Sequence, residues 1–493
     1  MGENDGGMAT ARRQFDAALS VLRKLRAEGH EAYLAGGCVR DLLLGREPKD
    51  YDVATSATPD VVLGLFPRTF AVGAHFGVVL VADGDEEGYV TTEVATFRSD
   101  EAYSDGRHPD AVRYTKSAED DVRRRDFTIN GLLLDPDRLF PQGAESTAHP
   151  SHKEWPRRQV ARVGRPGTVH LEDPGKLRSA VIDHVGGLAD LDARVVRAIG
   201  RPDARFQEDR LRMLRGVRFA ARFGFELEAG TDAAIRRLAA KTATVSRERV
   251  RDELTKMLIE GRARRAFELL DRTGLLAEVL PEIVRMKGVE QPAQFHPEGD
   301  VWVHTLRLLD QLAAGSQPTL AWGALLHDVG KPPTFRQAPD RIRFDGHVEV
   351  GVAMGAEICR RFRFSNDETR RILSLIRNHM RFADAARMKA STLKRFFRLE
   401  GFEEHLALHR MDCVAGSGNL EHWEFVRERW KSMPEEAVRP LPLITGRELI
   451  AAGYQPGARF KEMLRAVEDA QLEGTITTAN EALSLVRERF PLA

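Results

Sequence analysis

Between Ala32 and Val53 the chain runs through a short apolar stretch, Ala32-Tyr33-Leu34-Ala35, then two glycines, Gly36-Gly37, an apolar-periodic stretch from Val39 to Leu44, and Asp50-Tyr51-Asp52. That order predicts strand, tight turn, helix and second strand. The glycines let the chain turn so that amides at the start of the helix face an anion. On a strand, residues i and i+2 point to one face, so Asp50 and Asp52 are expected to share a site. Two carboxylates that close repel each other, and the usual relief is a divalent cation, commonly magnesium where phosphate oxygens complete its shell. Alone, Gly-Gly is more often a plain turn and Asp-x-Asp a solvated strand end. Within one strand-turn-helix-strand unit they point together to a nucleoside triphosphate held with metal, which is half of a two-metal phosphoryl-transfer site.

Downstream the signals alternate. Thr58-Pro59 reads as an N-cap with proline at the first helical position, opening a helix that ends near Phe66-Pro67. Two strands follow, over Gly77 to Ala82 and Tyr89 to Phe97. Glu93 lies on the second; it is a candidate third carboxylate for the metal, with an edge-strand salt bridge as the competing reading. From Ser117 the pattern turns helical, with Ser117-x-x-Asp120 as a cap and Asp126 and Asn130 spaced i and i+4 on a helical face. Residues 138–179, rich in Pro, Gly, Arg and His, read as an insertion. Its Arg157, Arg158, Arg162 and Arg165 can meet RNA or simply water.

Glu208-Asp209-Arg210-Leu211-Arg212 carries the most explicit chemistry. On a helix Asp209 and Arg212 are i and i+3 and can converge on one ligand edge. A carboxylate accepts from an exocyclic amino group, and an arginine donates to a ring nitrogen. Cytosine and adenine both offer that pair, whereas guanine and uracil present a carbonyl beside a ring N–H and turn both contacts repulsive. The competing reading is an ordinary surface salt bridge, worth ~0.3–0.5 kcal/mol. Arg215, Arg218 and Arg222 continue as a cationic stripe, with Leu211, Leu214 and Val217 on the opposite side. Arg249 and Glu253 are expected to brace this arrangement.

A chain of 493 residues exceeds what one core normally serves, so at least two domains are expected. Its 74 basic and 74 acidic residues cancel, so any RNA binding must come from local basic surface. The three cysteines, Cys38, Cys359 and Cys413, are widely separated, which argues against a disulfide framework. Without an apolar run of about 18 residues or a secretory start, a cytoplasmic protein without membrane contact is expected.

The segment Gly36 to Thr58 resembles the first signature of the class II tRNA nucleotidyltransferases and the related bacterial poly(A) polymerases, within the polymerase-beta-like superfamily. Arg124-Arg125-Asp126-Phe127-Thr128-Ile129-Asn130, Gly186-Gly187-Leu188-Ala189-Asp190-Leu191, Glu208 to Arg212 and Arg247-Glu248-Arg249 follow in that family's order. The resemblance implies an α+β fold: a small nucleotidyltransferase sheet domain at 1–137 and 180–195, then a helical base- and RNA-binding region at 196–290. It also implies addition of C and A to the 3′ end of tRNA from CTP and ATP. Asp50, Asp52 and Glu93 would then be catalytic, with Asp50 and Asp52 holding Mg2+. Gly36, Gly37, Arg40, Arg125, Asp126, Asn130, Asp209, Arg212, Arg215 and Arg218 would bind the nucleotide, the segment at Asp126 meeting the ribose.

A second resemblance lies further on. His304, His327-Asp328, His347, His379 and Asp412 match the order of HD-type metal-dependent phosphohydrolases, which places an HD domain at 291–440 and a helical segment at 441–493. His304, His327, Asp328 and Asp412 are the expected ligands of a transition metal, with His347 and His379 extending the set toward two metals. Three alternatives stay open: a poly(A) polymerase, an enzyme adding only A or only CC, and an HD hydrolase with a nucleotide- or RNA-binding head. The run Phe70 to Gly77 favours the CCA-adding version over the polymerase.

Overall fold

The computed structural model describes residues 4–71, 77–85, 88–100, 112–139, 174–294 and 296–492. Most of the run Phe70 to Gly77 and of the 138–179 insertion lies outside them. The chain divides into two compact units, Met1–Val245 with Arg272–Leu275, and Ser246–Asp271 with Leu276–Ala493.

The first unit is built on a seven-stranded mixed sheet. In chain order its elements are helix α1 (Asn4–Ala27), β1 (Ala32–Ala35), α2 (Gly37–Leu43), β2 (Asp52–Thr55), α3 (Pro59–Leu65), β3 (Thr69–Phe70), β4 (Val78–Asp85), β5 (Gly88–Thr96), β6 (Leu132–Leu134) and β7 (Val181–Asp183). The strands lie in the order β3-β4-β5-β2-β1-β6-β7. Only β2 and β5 run parallel; every other neighbouring pair is antiparallel. Leu34, Val53 and Leu132 to Leu134 are fully buried, as near-continuous apolar runs in central strands require. Ala18, Leu22 and Leu25 of α1 are buried as well. At the end of α1, Arg26 donates to the Ala32 carbonyl and to Asp135, which fixes the entry into β1.

Between the sheet and its following helices, two elements lock together. Helix α4 (Ala118–Arg123) starts from Ser117, whose hydroxyl accepts from Asp120 N as expected. Helix α5 (Gly187–Ala193) packs so closely on the 3-10 turn Thr128–Asn130 that a Cβ on Gly187 would lie 2.3 Å from the Thr128 carbonyl oxygen. Thr128 Oγ1 donates to Asp190 of α5 at 2.6 Å. Helices α6 (Pro202–Glu208) and α7 (Leu211–Phe223) complete the part of this unit that carries candidate residues.

Among its described residues the second unit is helical apart from a two-stranded ladder of Arg336–Gln337 with Ile342–Arg343. The helix Pro318–Leu326 is buried from Ala321 to Leu326, as expected of a helix apolar all round. Beyond Pro440, Ile444, Leu449, Tyr454, Met463 and Val467 join a small separate core. Thr445 with Glu448, and Thr478 with Glu481, form capping boxes there.

Because no side chain fits at Gly187 without moving the backbone of the 3-10 turn, Gly187→Ala is expected to cost ~1–3 kcal/mol. Urea unfolding followed on the first unit reads this directly; an unchanged midpoint contradicts the packing.

Candidate active site

Asp52 is the first residue of β2, but Asp50 precedes the strand and is exposed. The two carboxylates therefore reach one region from a strand and its approach, a correction to the single-strand reading. The third comes from the sheet itself. Val53 of β2 pairs with Val94 of β5, and stepping that parallel register back one residue sets Asp52 beside Glu93. Strand β5 lies between β4 and β2, so Glu93 is not on an edge. Burial, then Glu93 and then Asp50, push the Asp52 carboxyl up to about 7, against the pull of Arg125. Glu93 is raised by burial and by Asp50. Three mutually repelling carboxylates are hard oxygen donors, a set that fits a divalent cation such as magnesium.

The chain turns from β1 into α2 at Gly36, which has φ 73° and donates its N–H to the Leu132 carbonyl. A Cβ there would lie 2.8 Å from Arg125 Nη1, so the glycine is needed both for its conformation and for the room it leaves Arg125. Gly37 begins α2. Arg40, expected at a triphosphate, is 4% exposed. Its guanidinium lies 2.8 Å from Asp41, donates to Asn130 Oδ1 and covers the Phe223 ring at 4.6 Å. It braces the glycine turn from below. Arg125 pairs with Asp121 at 3.0 Å.

Three hydrogen bonds converge on Asp126. It accepts from Phe127 N at 2.8 Å, from Asn130 Nδ2 at 3.1 Å and from Arg215 Nε at 2.8 Å. Burial alone would raise its pKa, but Arg215, Asn130 and Arg212 outweigh that and hold it at about 2. Asp126 and Asn130 thus meet as expected, through the 3-10 turn rather than along an α-helix.

A single helix through Asp209 and Arg212 is likewise corrected. Helix α6 stops at Glu208, Asp209 is extended at φ −142° and ψ 108°, and α7 begins at Leu211. Asp209 Oδ1 accepts from Leu211 N at 3.0 Å. Arg212 leans back on α6, donating to Glu208 Oε2 at 2.6 Å and to the carbonyls of Arg205 and Arg124 at 3.3 Å. The stripe beyond it faces inward. Arg215 reaches Asp126, Arg218 is buried over the Phe219 ring at 4.3 Å, and Arg222 lies 3.7 Å from Asp41. Sequence reasoning missed the acidic partners Asp41, Asp121 and Glu208. The adjacency Arg40-Asp41 and the i, i+4 spacing of Glu208 and Arg212 were the available signals.

The second unit gathers all six HD-type residues. His304, His327 and Asp412 present ligand atoms within 4.8 Å of one another, and so do Asp328, His347 and His379. His304 Nε2 lies 3.0 Å from Asp412 Oδ1, and His327 Nε2 lies 3.2 Å from Asp328 Oδ2. His379 and His347 Nε2 lie 3.7 and 4.0 Å from Asp328 Oδ1. The Nδ1–H groups of His327, His347 and His379 donate to the carbonyls of Ala324, Phe344 and Ile376. That fixes each ring and turns its Nε2 inward; the Nε2 atoms of His347 and His379 and Asp328 Oδ1 are buried without a hydrogen-bond partner, while those of His304 and His327 face carboxylates. Orphaned imidazole nitrogens beside carboxylates suit a transition metal or zinc. Burial pulls His379 down to about 4. For His304 burial is overcome by Asp412 and Glu298, which raise it to about 9.

Residues 32–140 match the family model of the poly A polymerase head domain, 224–286 that of the probable RNA and SrmB-binding site of polymerase A, and 301–412 that of the HD domain. The chain is 31% identical over 474 residues to the CCA-adding enzyme of Geobacillus sp. (strain WCH70), covering 95% of each. It is 31% identical over 479 residues to that of Geobacillus stearothermophilus, again over 95% of each. Among solved structures, the Bacillus stearothermophilus CCA-adding enzyme in complex with CTP matches with a TM-score of 0.66 and 27% identity, over 97% of this chain and 98% of that one. The Thermotoga maritima CCA-adding enzyme complexed with tRNA shares the fold at a TM-score of 0.54 and 16% identity, over 98% of each.

The raised Asp52 gives a pH test. In chelator, the folded unit keeps a proton on Asp52 that the unfolded chain releases near pH ~4. The stability it confers is complete below that pH and is lost as pH rises through about 7. Asp52→Asn should flatten this decline in urea midpoints measured across the window; a parallel decline in the variant contradicts the carboxylate cluster.

Proposed function

The chain belongs to the family of CCA-adding enzymes, and we propose the roles through which its residues do that family's work. It is a template-independent tRNA nucleotidyltransferase. C and A are added to the 3′ end of tRNA from CTP and ATP, and pyrophosphate is released. Among the described residues no helix is long and apolar enough to cross a membrane, and action in the cytoplasm is part of the proposed reading.

The observation that carries this reading is the convergence of Asp50, Asp52 and Glu93 at the sheet end that also bears the Gly36 turn. Asp50 and Asp52, with Glu93 behind them, are the residues that would hold magnesium. Magnesium held there would lower the pKa of the tRNA hydroxyl and neutralise charge on the alpha phosphate and the leaving pyrophosphate. Gly36 and Gly37 bring backbone close to the triphosphate, and Arg40 acts by bracing that turn. Arg125 and Asn130 serve the ribose, both held in place by Asp121 and Asp126. Asp209 and Arg212 read the base edge, with Glu208 aiming the guanidinium. Arg215 borders the nucleotide from α7, and Arg218, buried over Phe219, supports it from behind.

The six HD-type residues favour a second activity in the same chain, a phosphohydrolase using a transition metal at His304, His327, Asp328 and Asp412, with His347 and His379 completing a second position. Release of phosphate from a 2′,3′-cyclic nucleotide should occur with the native chain and fall to background in Asp328→Ala. Equal rates in both would contradict it.

The main reading is tested with tRNAs trimmed to different 3′ ends, incubated with magnesium and CTP, ATP or both. The expected product is completion of CCA followed by a stop, and a long A tail would overturn it. Asp52→Asn should fall to a few per cent of native incorporation or less while keeping native circular dichroism; substantial retained activity would overturn the metal assignment.

A further inference from the structure

The two HD-type trios differ in what stands behind them. In the trio of His304, His327 and Asp412, His304 does not donate its Nδ1–H to a backbone carbonyl as the other three histidines do. It donates to Glu298 Oε1 at 2.6 Å, and the Glu298 side chain has no exposed surface. The same oxygen accepts from His296 Nδ1 at 2.9 Å, and the His296 ring meets His304 edge to face at 4.8 Å. These short contacts are hydrogen bonds, so we read His296 and Glu298 as a support for His304 and not as a third ion site, although the three residues cluster. A carboxylate behind a ligating imidazole raises its basicity and fixes its tautomer.

The trio of Asp328, His347 and His379 has the opposite backing. Both histidines donate to backbone carbonyls. The carboxylate is shared with a cation, since Lys331 Nζ lies 2.7 Å from Asp328 Oδ2 and is anchored by Gln291 Oε1 at 2.7 Å. An incoming dication at the first position meets the Asp412 carboxylate and Asp328 Oδ2, with Glu298 behind His304; at the second it meets only Asp328 Oδ1, of a carboxylate whose charge Lys331 already shares. Charge and ligand basicity therefore favour the first.

Resting on the HD reading given above, we propose that the HD site binds two divalent cations of unequal affinity, and that Glu298 is a positioning residue that makes the His304–His327–Asp412 position the tighter one. The test uses the full chain carrying Asp50→Asn and Asp52→Asn, so that the sheet carboxylates take up no ion. It is stripped with chelator and titrated with Mn2+, with bound ion followed by equilibrium dialysis and electron paramagnetic resonance. Two ions should bind, with dissociation constants separated by about tenfold or more. Glu298→Gln should weaken only the tighter step, by ~10–100-fold. Lys331→Met, which frees the Asp328 carboxylate that faces both positions, should strengthen binding, a gain that loss of folding cannot produce. Two ions of equal affinity, a single ion, or Glu298→Gln weakening both steps alike overturns the proposal while leaving the metal reading in place. No bound ion at all removes the metal reading itself.

Discussion

The first unit turns on one buried carboxylate. Asp126 is 8% exposed, yet it is held ionised by Arg215, Asn130 and its neighbour's N–H. Each bond leads to a different element. Arg215 belongs to α7, Asn130 closes the 3-10 turn, and Asn130 in turn accepts from Arg40 of α2, beside the glycine turn. The helix that carries Arg212 is thereby registered against the loop that faces the carboxylates. Removing one partner from a buried ion pair typically costs ~3–5 kcal/mol, because the other charge is left uncompensated. Phe219 and Phe223 support the same register, since the guanidiniums of Arg40 and Arg218 lie over them.

The features legible in the sequence were those in which distance along the chain equals distance in space. The Gly36-Gly37 turn, the Ser117 cap and the Pro59 helix start belong to this group, and so does the encounter of Asp126 with Asn130. Both helix readings that needed correction fail for one physical reason. Asp126 accepts the N–H of Phe127, and Asp209 accepts the N–H of Leu211. A short carboxylate that captures a backbone N–H just after itself competes with the helical bond and ends or prevents the helix. The inward turn of Arg40 and Arg218 was not legible, because their partners come from segments distant along the chain.

In the second unit the order of histidines and aspartates was readable, but their closure into two trios was not. His304, His327, His347, His379 and Asp412 come from different helices or helix ends, brought together by the buried Pro318–Leu326 helix and its neighbours. Gly330 shows how tightly this is drawn. A Cβ there would lie 2.1 Å from the His347 carbonyl oxygen. The Val-Gly-Lys-Pro run that holds Lys331 marked the ligand pair beside it, but the contacts of Glu298 and Lys331 were not legible in the sequence, and it is they that make the two positions unlike.

In the proposed function protein side chains, not a nucleic-acid template, choose the base. Its most direct test is the rate of single-nucleotide incorporation from each of CTP, ATP, GTP and UTP on tRNA ends that await C or A, in the native chain and in Asp209→Ala. GTP and UTP are expected to be used ~100-fold less well than the correct nucleotide, the scale of leaving polar groups unpaired at about 1–3 kcal/mol each, and Asp209→Ala should erode this ratio more than it lowers magnesium-dependent turnover. Comparable use of all four nucleotides by the native chain, or an unchanged ratio in the variant, would contradict it.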